Sequence, residues 1–205
     1  VQAKAIVYTA AARETAFSTE GAARAARMFA MVVFTASGAQ LAVRLPFTPV
    51  PLTMQTLFVV LSGVTLGARD GFYAMLSYVA LGLAGAPVFA GFGGGPAVLL
   101  GPTGGYLALF PVAALVSGYL STVLGGHRAA VFLASLCGMT LILAGGAFHL
   151  ALVAGLSLPR AAALAIAPFA LGEVAKALIA AAVSRRTADP ASRPGAPRAT
   201  MPHMP

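Results

Sequence analysis

Gly91–Tyr106 reads Gly-Phe-Gly-Gly-Gly-Pro-Ala-Val-Leu-Leu-Gly-Pro-Thr-Gly-Gly-Tyr and lies between long apolar segments. Seven of the chain's 23 glycines (91, 93, 94, 95, 101, 104 and 105) fall in its first 15 residues. Pro96 and Pro102 remove backbone donors, and glycine admits angles that other residues avoid. The stretch therefore predicts no regular helix. Irregular backbone at bilayer depth is tolerated where protein buries it or where it lines a cavity. This run marks a candidate ligand site in a membrane-embedded chain.

The composition supports that setting. Of 205 residues, 59% are hydrophobic and 9% charged, and the mean hydropathy is +0.89. A soluble domain carries roughly 25% charged residues. The expectation is one all-α integral membrane domain with short loops and no room for an ATPase. The net charge of +8 sits at span ends and in the tails, without the basic stripe and interleaved aromatics of a nucleic-acid binder. The single cysteine, Cys137, excludes an intramolecular disulfide and reads as a small packed hydrophobe. The first twenty residues lack the apolar core of a signal peptide, so the first span is expected to act as an uncleaved anchor.

Six spans are expected. Residues 1–24 form an N-terminal cytoplasmic or interfacial segment, residues 25–185 the six-helix membrane domain, and residues 186–205 a disordered cytoplasmic tail. Span one runs from about Met28 to Val43 and breaks at Pro46, Pro49 and Pro51, which cannot continue a helix. Span two covers roughly Leu52–Leu66, span three Phe72–Ala86, span four Gly105–Leu124 and span five Ala129–Ala154. Pro159 and Pro168 each suit the first turn of a helix. Pro168 is taken as the start of span six, which ends near Val183, and the piece before it is expected at the outer interface. Several spans are shorter than the ~20 residues a simple crossing needs, so the two Pro/Gly-rich connections are expected to dip inward.

Orientation follows the positive charges. With six spans, Arg24, Arg27, Arg69, Arg128, Arg185 and Arg186 share one side, against Arg44 and Arg160 on the other. Both termini are then cytoplasmic. The connections at residues 44–51 and 87–104 share the outer face, where an external solute arrives.

Glu173 and Lys176 are the charged residues inside span six. Ionisable groups in spans are expensive and face the bundle interior, and i,i+3 spacing puts them on one helix face. Counted from Pro168 at ~1.5 Å per residue, Lys176 lies about 12 Å in. A carboxylate supplies acceptors and an ammonium donors, which suits a neutral polar group such as a urea or amide; a plain neutralising pair is the alternative. Arg44, on the positive-poor face, is placed either to hold a ligand carboxylate or to snorkel to headgroups. Thr53 and Gln55 lie within one turn of the proline loop, and buried amides need partners. Gln40 in span one has the same need. Tyr78, Phe89, Phe92 and Tyr106 are candidates for an apolar wall. Gly94 and Thr103 add backbone and hydroxyl contacts. His149 reads as a satisfied core histidine before a proton relay, and His127 as a loop residue.

The glycine run lacks the Gly-Lys-Ser/Thr of a phosphate loop. No His/Cys/Asp/Glu set has metal spacing, and no nucleophile–base pattern supports Ser37 or Ser62. No catalytic residue, metal or cofactor is assigned.

Four motifs give a specific resemblance. Leu45-Pro-Phe-Thr-Pro-Val-Pro-Leu-Thr-Met-Gln-Thr56, Gly82-Leu-Ala-Gly-Ala-Pro-Val-Phe-Ala90 and Leu100-Gly-Pro-Thr-Gly-Gly-Tyr106 are three. Pro168-Phe169 followed by Glu173 and Lys176 is the fourth. Over about residues 25–185 the chain resembles the BioY family, the biotin-specific S components of energy-coupling-factor (ECF) vitamin transporters. The resemblance implies a compact six-transmembrane-helix S-component fold in the bacterial cytoplasmic (inner) membrane. It implies high-affinity capture of biotin from the outer side, with a transmembrane coupling protein and two cytoplasmic ATPases as partners. Some members work without them, and a homo-oligomer is an open alternative. A carrier for another small water-soluble vitamin is the rival reading.

The residue reading and the resemblance fit each other: Glu173 and Lys176 are expected to serve the ureido ring, aromatics and glycine backbone the apolar ring, and a positive or hydroxyl-bearing outer group the carboxylate tail. Family members meet the coupling protein through small residues spaced by four on the first helix, which Ala22, Ala26 and Ala30 match. Where the family has Asp before the last-helix Lys, this chain has Glu173, and it contains no Asn.

Overall fold

The computed structural model describes residues 2–184, with side chains from residue 19 onward; the segment 185–205, with the expected tail and Arg185 and Arg186, lies outside the described residues. Helix α1 (Gln2–Gln40) is followed by a two-stranded ribbon of β1 (Ala42–Val43) and β2 (Leu52–Thr53). Then come α2 (Gln55–Leu66), α3 (Ala68–Leu83), a 3₁₀ turn at Ala90–Phe92 and α4 (Ala97–Leu100). Helices α5 (Gly104–Val123), α6 (Arg128–Ala154), α7 (Leu158–Ala165) and α8 (Ala170–Val183) complete the described chain.

Local chemistry sets the boundaries. Gly67, at φ 89, separates α2 from α3, and Asp70 sits in the first turn of α3, where a negative charge meets the positive end of the helix dipole. His127 Nδ1 accepts from Ala130 N (3.1 Å) and caps α6, which gives this loop histidine a function. Gly155 closes α6 in the left-handed conformation, at φ 62. Pro159 occupies the first turn of α7. The α7–α8 pair bends by 51° around Pro168, so the last helix is separate from the piece before it, as the two prolines predict. α1 runs without a break through residue 24. The glycine-rich run, expected to hold no regular helix, keeps one helical turn at Ala97–Leu100.

Six of the described helices are twelve residues or longer: α1, α2, α3, α5, α6 and α8. Of these, α5 and α6 are long and apolar enough to cross a bilayer singly, and α7 with α8 makes a third, bent candidate. Large apolar side chains face outward around the bundle, among them Phe29, Phe34, Tyr119, Leu133, Phe148 and Leu171. A soluble monomer does not expose apolar surface on that scale; hydrocarbon is its natural solvent.

The helices approach closely through small residues, the usual device between membrane helices. A methyl group at Gly63 of α2 would overlap the carbonyl of Ala114 on α5, and one at Gly71 of α3 would lie 2.6 Å from Gly63 Cα. One at Gly118 of α5 would lie 2.7 Å from Ala68 N. These contacts bring the end of α2, the start of α3 and the last turns of α5 to one end of the bundle. Val64, Val131 and Ala181 cluster at that same end. Arg24 Nε donates to Asp70 Oδ2 (2.7 Å), and a second guanidinium nitrogen binds Oδ1. Arg24, Arg27, Arg69 and Arg128 therefore gather at the end opposite Arg44.

Candidate functional site

At the Arg44 end a cavity of about 490 Å³ opens between the ribbon loop, the glycine-rich connection, α5 and α8. The ribbon places one wall. Ala42 pairs with Thr53 and Val43 with Leu52, so residues 44–51 form a closed loop at the start of α2. Thr48 Oγ1 accepts from Val50 N (3.3 Å) and tightens it. Leu45, Thr48, Pro49, Val50 and Pro51 of this loop line the cavity.

The deep polar group is a triangle of three residues. Lys176 Nζ donates to Glu173 Oε1 (2.7 Å) and to Thr56 Oγ1 (2.9 Å). The Thr56 hydroxyl donates to Glu173 Oε1 (3.1 Å). All three are buried, Glu173 and Lys176 at 3% and 4% exposure. Two valences stay open. Glu173 Oε2 is buried without a hydrogen-bond partner, and an ammonium has three donors, of which two are used. A buried unpaired carboxylate oxygen costs about 1–3 kcal/mol or more, and Glu173 is one of the residues that line the cavity, which makes this oxygen a candidate for a further donor.

A second polar chain runs beside the first. Thr53 Oγ1 donates to Gln55 Oε1 (3.1 Å), Gln55 Nε2 to the Tyr78 hydroxyl (2.7 Å), and Tyr78 to the Val88 carbonyl (2.8 Å). Each end of the Gln55 amide thereby has one partner within the protein, and its NH2 group keeps a second donor. Tyr78 is fully buried, stacks on Phe110 (6.2 Å) and meets Phe89 edge-on (5.6 Å).

Phe89, Val98, Leu107, Phe110, Leu143 and Phe169 give the lining its apolar part, with Tyr106 beside them, and Arg44 and Thr103 add polar groups. The Tyr106 hydroxyl donates to the Ala165 carbonyl (3.1 Å), tying α5 to the end of α7. His149 Nε2 lies 3.1 Å from the Gly101 carbonyl, so this histidine anchors the glycine-rich connection to α6, as a satisfied core residue does.

Eight of the twelve sequence candidates meet at the cavity: Arg44, Thr53, Gln55, Phe89, Thr103, Tyr106, Glu173 and Lys176, while Gln40 and Tyr78 lie behind its lining. Phe92 and Gly94 stand apart from its lining. Phe92 is 71% exposed, because a positive φ of 57 turns its ring outward, while Phe89 fills the space behind it. A Cβ at Gly94 would lie 2.5 Å from the Ala86 carbonyl, so Gly94 serves close packing of its own loop. Arg44 has no hydrogen bond or ion pair among the described residues and is exposed at the rim. Ala22 and Ala26 are exposed and Ala30 half-buried along α1. Sequence reasoning missed Thr56 and did not select Phe110 or Phe169. Thr56 stands one residue after Gln55 in the proline-loop motif, a signal that was there to be used. No group of metal-ligating side chains occurs among the described residues.

The chain's relatives agree with this architecture. The model of the BioY family matches residues 10–193. A probable biotin transporter BioY of Pyrococcus horikoshii is 41% identical over 155 residues, 76% of this chain and 90% of that protein. The biotin transporter BioY of Rhizobium etli is 39% identical over 166 residues, 77% and 88% of the two chains. That of Thermotoga maritima is 39% identical over 145 residues, 70% and 84%. In three dimensions, the crystal structure of the S-component for biotin from an ECF-type ABC transporter superposes with a TM-score of 0.76. That match covers 80% of this chain and 90% of the other at 23% identity, which establishes a common fold. The six longer helices, the proline-loop ribbon and the family match together identify the chain as a member of the BioY family.

Proposed function

We propose that this protein takes up biotin across the cytoplasmic membrane as the high-affinity substrate-binding component of an ECF transporter. The observation that carries the reading is the open pair of valences beside the cavity: Glu173 Oε2 without a partner and the third proton of the Lys176 ammonium. A cyclic urea presents a carbonyl acceptor and N–H donors on one edge. The carbonyl meets Lys176 and an N–H meets Glu173, with Thr56 holding both side chains. Because the pair is neutral overall, a neutral ligand group enters without leaving a buried charge unbalanced.

The rest of the molecule is matched region by region. Phe89, Tyr106, Phe110 and Phe169 cover the thioether ring and the aliphatic chain. Arg44 at the rim, with Thr103 and Thr53 nearby, serves the carboxylate, for which a guanidinium supplies a two-pronged contact. A volume of about 490 Å³ lies within the ~300–1,000 Å³ of small-molecule sites. The relatives' names point to the same ligand.

In this reading residues 25–185 form a six-span domain with both termini in the cytoplasm. The gathering of Arg24, Arg27, Arg69 and Arg128 at the end away from the cavity supports that orientation. Ala22, Ala26 and Ala30 offer a small-residue face to a transmembrane coupling protein, which brings two cytoplasmic ATPases. The test is equilibrium binding of labelled biotin to the purified protein in detergent, with unlabelled biotin, thiamine and riboflavin as competitors. Saturable binding displaced by biotin alone is expected. Displacement by thiamine or riboflavin moves the assignment to another vitamin.

A further inference from the structure

The wall segment Val88–Gly93 has two faces. Phe89 points inward at 2% exposure and Phe92 outward at 71%. Its ends meet in a bridge in which Phe89 N donates to the Gly93 carbonyl (3.0 Å). Between them, Gly91 and Phe92 both have positive φ, 67 and 57. A phenylalanine in that region is uncommon and persists only where its surroundings hold it.

An amide from α1 holds the outward turn. Gln40, the last residue of α1, donates from Nε2 to the Phe89 carbonyl (3.1 Å). Its Oε1 accepts from Phe92 N (3.1 Å). One side chain thus pins both ends of the outward turn. α1 leads from this contact to the opposite end of the bundle, where Arg24 binds Asp70. The wall is also held from α3, through the Tyr78 hydroxyl and the Val88 carbonyl, the Phe89 ring against Gly82 and Tyr78, and Gly95 N on the Gly82 carbonyl.

We infer that Gln40 is a positioning residue for ligand exchange: its two hydrogen bonds fasten the Phe89–Gly93 wall to the end of α1, and this wall must be released for a ligand to pass in or out. Gln40 touches no ligand in this reading, being absent from the cavity lining. It governs rates in both directions rather than affinity. The inference rests on the biotin assignment only for its kinetic arm.

The test uses the full-length protein in detergent with Q40M, which keeps the length and removes both hydrogen bonds, and Q40E, which keeps only the acceptor for Phe92 N–H. Amide hydrogen exchange in the ligand-free protein is measured first. In Q40M, exchange at residues 89–95 is expected to rise at least about tenfold, with α5 and α6 unchanged and Q40E intermediate. Labelled biotin is then expected to bind and leave Q40M at least about threefold faster in both directions, with Kd within about twofold. Unchanged exchange at residues 89–95 overturns the inference. So does an off-rate that rises alone, or exchange that rises equally in every helix of both variants. If the wild type binds no biotin, the biotin assignment fails by itself, and local loosening at residues 89–95 in Q40M still supports the fastening role.

Discussion

Glu173 Oε1 lies 2.7 Å from Lys176 Nζ, one helical turn along the same face of α8, while Oε2 of the same carboxylate is buried without a partner. The pair is thus neutral as a whole and incomplete in detail. A neutral donor–acceptor edge, such as that of the proposed cyclic urea, would supply the missing hydrogen bonds. Removing one member leaves the other as an uncompensated buried charge, a far larger loss than removing a rim residue.

Glu173→Gln and Lys176→Ala are therefore expected to weaken biotin binding by about 10- to 100-fold, since hydrogen bonds to charged groups contribute ~1.5–3 kcal/mol. Arg160→Ala, an exposed residue of α7, leaves binding within about twofold, the scale of an ordinary surface change. Equilibrium titration with labelled biotin reads all three. Equal losses across the set would sink the assignment of the pair to the ligand.

Thr56 accepts a hydrogen bond from Lys176 and donates one to Glu173. Thr56→Val keeps the shape and removes both bonds, so a loss of about 1–3 kcal/mol in binding is expected. Thr56→Ser keeps the hydroxyl and recovers most of it. If Val and Ser variants bind alike, the hydroxyl has no part in holding the pair.

Gly82 of α3 is in contact with the Phe89 ring, and a methyl group there would overlap it. Gly82→Ala is expected to cost about 1–3 kcal/mol through overpacking and to displace an aromatic that lines the cavity. Gly21→Ala, with nothing within 4 Å of the added carbon, is the matched control. Thermal unfolding in detergent should separate the two; coincident melting curves would show that Phe89 gives way freely.

Hydrogen bonds from the Arg24 guanidinium hold the Asp70 carboxyl below its ordinary range, against the opposing effect of burial. A depressed carboxylate stabilises the fold above its unfolded pKa and loses that contribution as pH falls through the folded value. The stability difference between wild type and Asp70→Asn is thus expected to be constant near neutral pH and to shrink below the usual carboxylate range. It should also shrink with added salt, because the pair is partly exposed. A difference that persists unchanged at low pH would assign the effect of Asp70 to something other than its charge.

The membrane setting, the helical class and the break at the proline loop were all legible in the chain, because each rests on local chemistry: apolar runs, missing backbone donors and permitted angles. The i,i+3 spacing of Glu173 and Lys176 was enough to place them on one face. Thr56 was not selected, since its partners lie 117 and 120 residues away and no local pattern encodes that distance. The division of labour between Phe89 and Phe92 was equally hidden: both are aromatics beside glycines, and only the folded chain shows Phe89 buried and Phe92, at positive φ with its N–H on Gln40, facing outward. Gln55 lines the cavity, and its contacts to Thr53 and Tyr78 appear only in the folded chain. The sequence by itself determined the long helical segments and which residue types are chemically able to bind, but not the ribbon of Ala42–Val43 with Leu52–Thr53 or the turn at Ala97–Leu100; tertiary structure alone decided which hydrogen-bonding valences the protein itself fills, because those partners lie far apart along the chain.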